Sequence, residues 1–152
     1  MKNGGERPFE SLLKGYPVVV EQDVVWGELD PNGHVNSVYY FRYVENSRTE
    51  YYSKIGKYQF VKETGINLLL ASTSCRFKSS LKYPDRISIG ASVSEIHKEK
   101  ALMKYIVVNQ TNNVVAAEGE AIIVPFDTIK GVKASFPEIL KKRISKLEGK
   151  DF

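Results

Sequence analysis

The sequence predicts an α+β domain in which a curved antiparallel β-sheet wraps around one long central α-helix. Three observations carry that expectation. The segment from Asn36 to Ile55 contains no glycine or proline, and Tyr40, Val44, Ser47, Tyr51 and Ile55 recur in it at helical steps. About four strand-like segments follow, divided by turn residues. One helix cannot cover both faces of such a sheet, so a sheet curved around the helix is the simplest way to bury both. The length of 152 residues suits one domain, 1–152, with no internal repeat and no linker.

Taken in order, residues 1–16 are polar, with Gly4-Gly5 and Pro8, and read as an irregular lead-in. Val18 to Trp26 is rich in β-formers and predicts a strand. Asp30-Pro31-Asn32-Gly33 stops it, since proline presets φ for a turn and Asn or Gly tolerates positive φ. Asn36 then suits a helix N-cap and Gly56 its C-terminal stop. Arg42, Glu45, Asn46, Arg48 and Glu50 give the helix one polar side. Val38, Tyr39, Phe41, Tyr43 and Tyr52 add so many further apolar groups that burial over more than one face is expected.

Strands are predicted at Ile66 to Phe77, Arg86 to His97, Ala101 to Asn109 and Val114 to Phe126. In the second of these, Ile87, Ile89, Ala91 and Val93 alternate with Ser88, Gly90, Ser92 and Ser94, which predicts two faces of opposite polarity. Gln110-Thr111-Asn112-Asn113 marks a hairpin. Pro137 to Leu147 reads as a short basic helix with proline in its first turn.

The formal net charge of +4 points at first to an anionic partner. Its location narrows that. Residues 1–129 carry 15 basic and 15 acidic side chains, whereas residues 130–152 carry seven against three. The excess belongs to the basic C-terminal tail, and a neutral body argues against nucleic acid as partner. One cysteine excludes an internal disulfide framework and favours a reducing compartment. Two histidines and that cysteine argue against a structural zinc site. No apolar run approaches the ~18 residues of a membrane span, and MKNGGERPFE lacks a secretory core, so a cytoplasmic protein is expected.

Chemistry concentrates between the first strand and the helix, in Trp26-Gly27-Glu28-Leu29-Asp30-Pro31-Asn32-Gly33-His34-Val35-Asn36. A helix N-terminus presents unpaired N–H groups and partial positive charge, and those groups can stabilise an oxyanion. A carboxylate beside them can act as general base or nucleophile. The same residues also spell an ordinary turn that Asp30 closes with its side chain, with His34 as a structural histidine. Arg76, Lys78, Lys82 and Arg86 place four cations in eleven residues, as phosphate contacts or as a solvated strand end. Cys75 has no local histidine and reads as a small core residue, and His97 as a turn residue.

The run from Val24 to Glu45, V-x-W-x-x-L-D-P-N-G-H-V-N-x-x-Y-Y-F-R-Y-x-E, resembles the signature of hotdog-fold acyl-CoA thioesterases, in particular the 4-hydroxybenzoyl-CoA thioesterase-like branch. The predicted element order agrees with that family over roughly residues 16–127. The resemblance implies hydrolysis of an acyl-CoA to free acid and CoA, with no metal and no cofactor beyond the CoA of the substrate. It implies Asp30 as catalytic base or nucleophile and the Ser37 N–H, with Asn36 beside it, as the group that polarises the carbonyl. His34 and Asn36 match its H-V-N variant and would shape the loop. Arg76, Lys78 and Lys82 would meet the CoA phosphates, and the helix aromatics, Tyr40 among them, read either as the border of an apolar acyl pocket or as core. Pro84-Asp85 stands where many relatives have Gly-Asp. Glu45 is a lesser candidate, at a helix position where another branch keeps a glutamate. The family also implies a homodimer or homotetramer with sites at subunit boundaries. The alternatives are a thioesterase for acyl-carrier protein and an acyl-CoA-binding hotdog protein without turnover.

Overall fold

The structure, a computed structural model, describes residues 5–152; residues 1–4 of the expected lead-in lie outside the described residues. The long helix α1 spans Ser37–Lys54 and is started by Asn36, whose Oδ1 accepts the Val38 N–H at 3.1 Å. It lies across a sheet of six strands: β1 (Val18–Asp23), β2 (Ile66–Phe77), β3 (Arg86–Ile96), β4 (Ala101–Asn109), β5 (Val114–Asp127) and the two-residue β6 (Val132–Lys133). All pairings are antiparallel, in the order β1-β3-β4-β5-β2, with β6 added to β5. This is the helix-in-a-curved-sheet arrangement expected of a hotdog fold. Strand β2 pairs with β5 and leaves its other edge unpaired, so β2 and β1 form the two ends of the main order.

Tyr40, Tyr43, Val44, Tyr51 and Tyr52 of α1 pack into one core with Ile87, Ile89, Ala91 and Val93 of β3 and with Met103, Tyr105 and Val107 of β4. The predicted alternation of β3 holds, but its second face is not open to water. Ser88, Gly90 and Ser92 are buried as well. Gly90 lies directly beneath Tyr16: a Cβ there would sit 2.8 Å from the Tyr16 Cβ. The cover comes from a 3₁₀ turn at Pro8–Leu13, where an irregular lead-in was expected. Its Phe9 is buried with Ile106 and Val108, so an apolar anchor orders the segment.

Two further elements differ from expectation. The first strand ends at Asp23, and Trp26–Glu28 is a 3₁₀ turn. Gly56 does end α1, but with φ 69° it only redirects the chain into a second helix, α2 (Lys57–Thr64), that Gly65 closes in turn with φ 77°. The C-terminal helix α3 (Glu138–Glu148) begins just after Pro137 and buries Leu140 and Ile144 in the main core. Its Arg143 donates to the Ile55 carbonyl at 3.1 Å, so part of the basic tail serves as a cap on α1.

Candidate active site

The loop from Trp26 to Asn36 is held at several points before any catalytic question arises. Asp30 N–H donates to the His34 carbonyl at 2.7 Å, and Gly33 N–H donates to the Asp30 carbonyl at 3.0 Å. Gly33 has φ 80°, which a side chain would strain. Asn36 N–H donates to the Glu28 carbonyl at 2.9 Å, and Val35 N–H to the Leu81 carbonyl at 2.9 Å. Leu81 is fully buried in the core, so the β2–β3 connection fixes the loop from one side.

Glu28, to which the sequence assigned no role, fixes it from the other. Its Oε1 accepts the Val25 N–H at 2.9 Å and the Tyr43 hydroxyl at 2.7 Å. Tyr43 is fully buried, and burial followed by the Glu28 carboxylate pushes its phenol far above the ordinary tyrosine range. This clamp ties the loop to the second turn of α1. No local signal in the sequence reports it, since Glu28 and Tyr43 stand fifteen residues apart.

Asp30 does close the side-chain turn foreseen for it. Its Oδ1 accepts the Asn32 N–H at 2.8 Å and the His34 N–H at 3.2 Å. Oδ2 has no partner among the described residues. The carboxylate is thus oriented through one oxygen and unengaged at the other. A parallel division holds at the helix start. Asn36 caps Val38, and Ser37, the first residue of α1, has no intrahelical acceptor for its N–H. That N–H keeps the partial positive charge of the helix end.

Asp30, His34, Asn36, Ser37 and Tyr40 line one cleft of about 430 Å³ together with Phe77, Lys78, Ser79 and Ser80. Tyr40 is buried, its ring 5.0 Å from that of Phe77 in an edge-on arrangement, and burial raises its phenol pKa. The cleft is therefore lined by the residue with the unengaged carboxylate oxygen, by the first residue of α1 and by the aromatic pair Tyr40 and Phe77.

The cation cluster does not assemble there as a unit. Lys78 lines the cleft and sits 3.5 Å from Glu118. Arg76 lines a separate cavity of about 400 Å³ with Tyr16, Cys75, Lys104 and Glu118. Adjacent residues in a strand face opposite ways, and Phe77 is the one that turns toward α1. Lys82 lines neither cavity; its N–H donates to Asp85 Oδ2 at 3.0 Å. Arg86 is engaged at the β1 edge with Asp23 at 3.0 Å. Glu45 lies further along α1, 3.6 Å from Arg42, and outside the lining of the Asp30 cleft. Cys75 is half-buried against the core, and burial pushes its thiol pKa up. No group of three or more His, Cys, Asp or Glu suited to a metal ion occurs among the described residues.

Residues 24–144 match the thioesterase-like superfamily, and the chain belongs to that family. Its fold is similar to that of a thioesterase from Thermus thermophilus solved with coenzyme A and zinc. The two are 27% identical with a TM-score of 0.80, over 91% of this chain and 99% of the other. A DHNA-CoA thioesterase from Staphylococcus aureus shares the fold at 19% identity and a TM-score of 0.75, over 87% of this chain and 91% of the other. So does a thioesterase-superfamily protein from a Jannaschia species, at 21% identity and a TM-score of 0.82, over 92% and 88%. No helix of the described residues is long and apolar enough to cross a membrane.

Proposed function

We propose that the protein hydrolyses acyl-CoA thioesters, with Asp30 and the N-terminus of α1 as its reacting machinery. The observation that carries this reading is that Asp30, whose Oδ2 is unengaged, and Ser37, whose N–H has no intrahelical acceptor, line one cleft. Membership of the thioesterase-like superfamily supports it, as does the likeness to a thioesterase that binds coenzyme A.

The chemistry follows from the two groups. The thioester carbonyl oxygen takes the Ser37 N–H, which stabilises the negative charge that grows on it. Asp30 Oδ2 removes a proton from water, whose oxygen attacks the carbonyl carbon. Alternatively, Oδ2 attacks directly to give an anhydride that water then opens. Either route breaks the carbon–sulfur bond and releases CoA thiolate and a free acid. His34 and Asn36 act on the loop and the cap, and Tyr40 and Phe77 bound the acyl side. Lys78, at the rim, is the cation placed to meet a CoA phosphate.

The assembly proposed is at least a dimer. Strand β2 is an unpaired edge on which Leu70 is 46% and Phe77 50% exposed, and Val38 of the neighbouring α1 is 62% exposed. An edge with apolar side chains calls for a cover, and a second copy of β2 supplies one.

The test is thiol release from a panel of aliphatic, aromatic and hydroxylated acyl-CoAs, with the matching acyl-carrier-protein thioesters beside them. Turnover of CoA esters is expected. Turnover of carrier-protein esters alone would move the substrate class. Binding of acyl-CoA without any thiol release would leave a binding protein.

A further inference from the structure

Between β2 and β3 the chain makes a turn, Lys82 to Asp85, that takes no part in the proposed chemistry. The Asp85 N–H donates to the Lys82 carbonyl at 2.9 Å, and the Lys82 N–H donates back to Asp85 Oδ2 at 3.0 Å. The same Oδ2 accepts Asn109 Nδ2 at 3.0 Å. Asn109 is fully buried at the end of β4, where its Oδ1 takes the Thr111 and Asn112 N–H groups at 2.9 and 3.2 Å. Asp85 is itself only 8% exposed, and no cation lies within ion-pair distance of it among the described residues. A carboxylate kept from water without a counterion is costly, and charge-assisted bonds from N–H donors offset that cost.

This turn grips the Asp30 loop at both ends. Where the loop begins, the Val24 N–H donates to the Asp85 carbonyl at 2.8 Å. Where it closes, the Val35 N–H donates to the Leu81 carbonyl, one residue ahead of the turn, at 2.9 Å. Val24, Val35 and Leu81 are all buried in the main core. Val35 stands between the two groups assigned to the reaction. On one side is His34, whose carbonyl and N–H hold Asp30. On the other is Asn36, which caps α1 ahead of Ser37. The turn also lies behind the cleft: the Asp85 charge is near enough to Tyr40 to add to the burial that raises its phenol pKa.

We propose that Asp85 is a positioning residue for thioester hydrolysis: by holding the turn to which both ends of the loop are tied, it sets Asp30 against the N-terminus of α1. The proposal rests on the thioesterase reading and adds to it a carboxylate that never meets the substrate. Asp85 is outside the lining of the Asp30 cleft, so it acts through the backbone. Without its side chain the turn loses the Lys82 and Asn109 bonds together and keeps one backbone bond of its own. The Leu81 and Asp85 carbonyls are then free to shift, and the loop shifts with them. A misplacement of about 1 Å between reacting groups costs on the order of 10²-fold in rate. Binding of CoA should be spared, because Lys78 is held apart from the turn by its own N–H bond to the Ala116 carbonyl at 2.8 Å.

Turnover and amide exchange test this separately. Asp85→Ala removes both side-chain bonds, and kcat per folded enzyme is expected to fall about ten- to a hundred-fold while KM for the best acyl-CoA stays within about two-fold. Asp85→Asn keeps an oxygen for both donors and should recover kcat to within about five-fold of wild type. Hydrogen exchange needs no substrate. In Asp85→Ala the Val24 and Val35 amides should exchange about ten-fold faster or more, while amides in the middle of β5 keep their wild-type rates. Should Asp85→Ala fail to fold, the wild type decides. Its Val24, Val35 and Lys82 amides should open with one common denaturant dependence, because one turn holds all three, and unrelated dependences would overturn the proposal. An Asp85→Ala enzyme that melts earlier but keeps wild-type kcat and KM would overturn it too, leaving Asp85 a structural residue. So would an Asp85→Asn enzyme as slow as Asp85→Ala, which would assign the effect to charge rather than position. Faster exchange at Val24 and Val35 in Asp85→Ala, with no thiol released from any thioester by the wild type, would uphold the hold on the loop and remove the hydrolase reading instead.

Discussion

Asp30 shows how one side chain can both build a loop and remain available for chemistry. Its Oδ1 holds the Asn32 and His34 N–H groups, which sets the direction of Oδ2. The two sequence readings, turn former and catalytic carboxylate, are therefore compatible at the level of single oxygens, a distinction that residue types alone do not make. Ser37 allows a sharper test than removing a side chain. Proline is accepted at the first position of a helix, and Asn36 already has the extended backbone that a following proline requires. Ser37→Pro should leave the melting temperature nearly unchanged while deleting the N–H, and kcat should fall by about 10²–10³-fold. Full activity in a folded Ser37→Pro would move the oxyanion site elsewhere. The Glu28–Tyr43 clamp should act on stability. Tyr43→Phe removes the hydroxyl from a half-buried carboxylate and should cost about 1–3 kcal/mol in denaturant unfolding. Arg76 and Lys78 look equivalent in sequence, but the strand ends between them and only Lys78 reaches the cleft.

Among the elements, α1 was legible because its signals are local: the Asn36 cap, the helical repeat of aromatics and the glycine beyond its end. Strands β2 and β4 match their expected bounds for the same reason. Helix α2 escaped because Gly56 suits a stop and a left-handed link between two helices equally well. The 3₁₀ turn at Pro8–Leu13 escaped because its order comes from Phe9 packing on β4, a contact distant in sequence. Helix α3 was foreseen, but its task was not. Glu148 Oε2 accepts the Tyr51 hydroxyl at 2.5 Å and the Val93 N–H at 2.7 Å, next to the irregular register at Val93/Glu95. Burial and the Glu148 carboxylate push the Tyr51 phenol far above its ordinary range. Glu148→Ala leaves both donors without an acceptor, and a loss of about 1–3 kcal/mol is expected. An unchanged unfolding midpoint would show that α3 contributes only its apolar side.

For the molecule as a whole, the curved sheet around one helix was legible from element order, but the strand order was not. Pairing β2 with β5 rather than β3 depends on a connection crossing the sheet, and no local signal reports it. The +4 charge likewise needed the fold: Arg143 caps α1 and Lys150 reaches the Ser94 carbonyl, so the tail is partly structural. The exposed β2 edge predicts self-association. Sedimentation at micromolar concentration should show species of at least twice 17.2 kDa, and a 17.2 kDa species alone would reject the dimer. The central claim concerns one event, the breaking of a carbon–sulfur bond beside Asp30. The most direct measurement is thiol release from the best acyl-CoA substrate by wild type and Asp30→Asn, both confirmed folded. Asparagine keeps the oxygen that accepts the Asn32 and His34 N–H groups, so the loop should persist while the base is lost. The account predicts a fall of about 10²-fold or more in kcat/KM; a folded Asp30→Asn that releases thiol at the wild-type rate would contradict it.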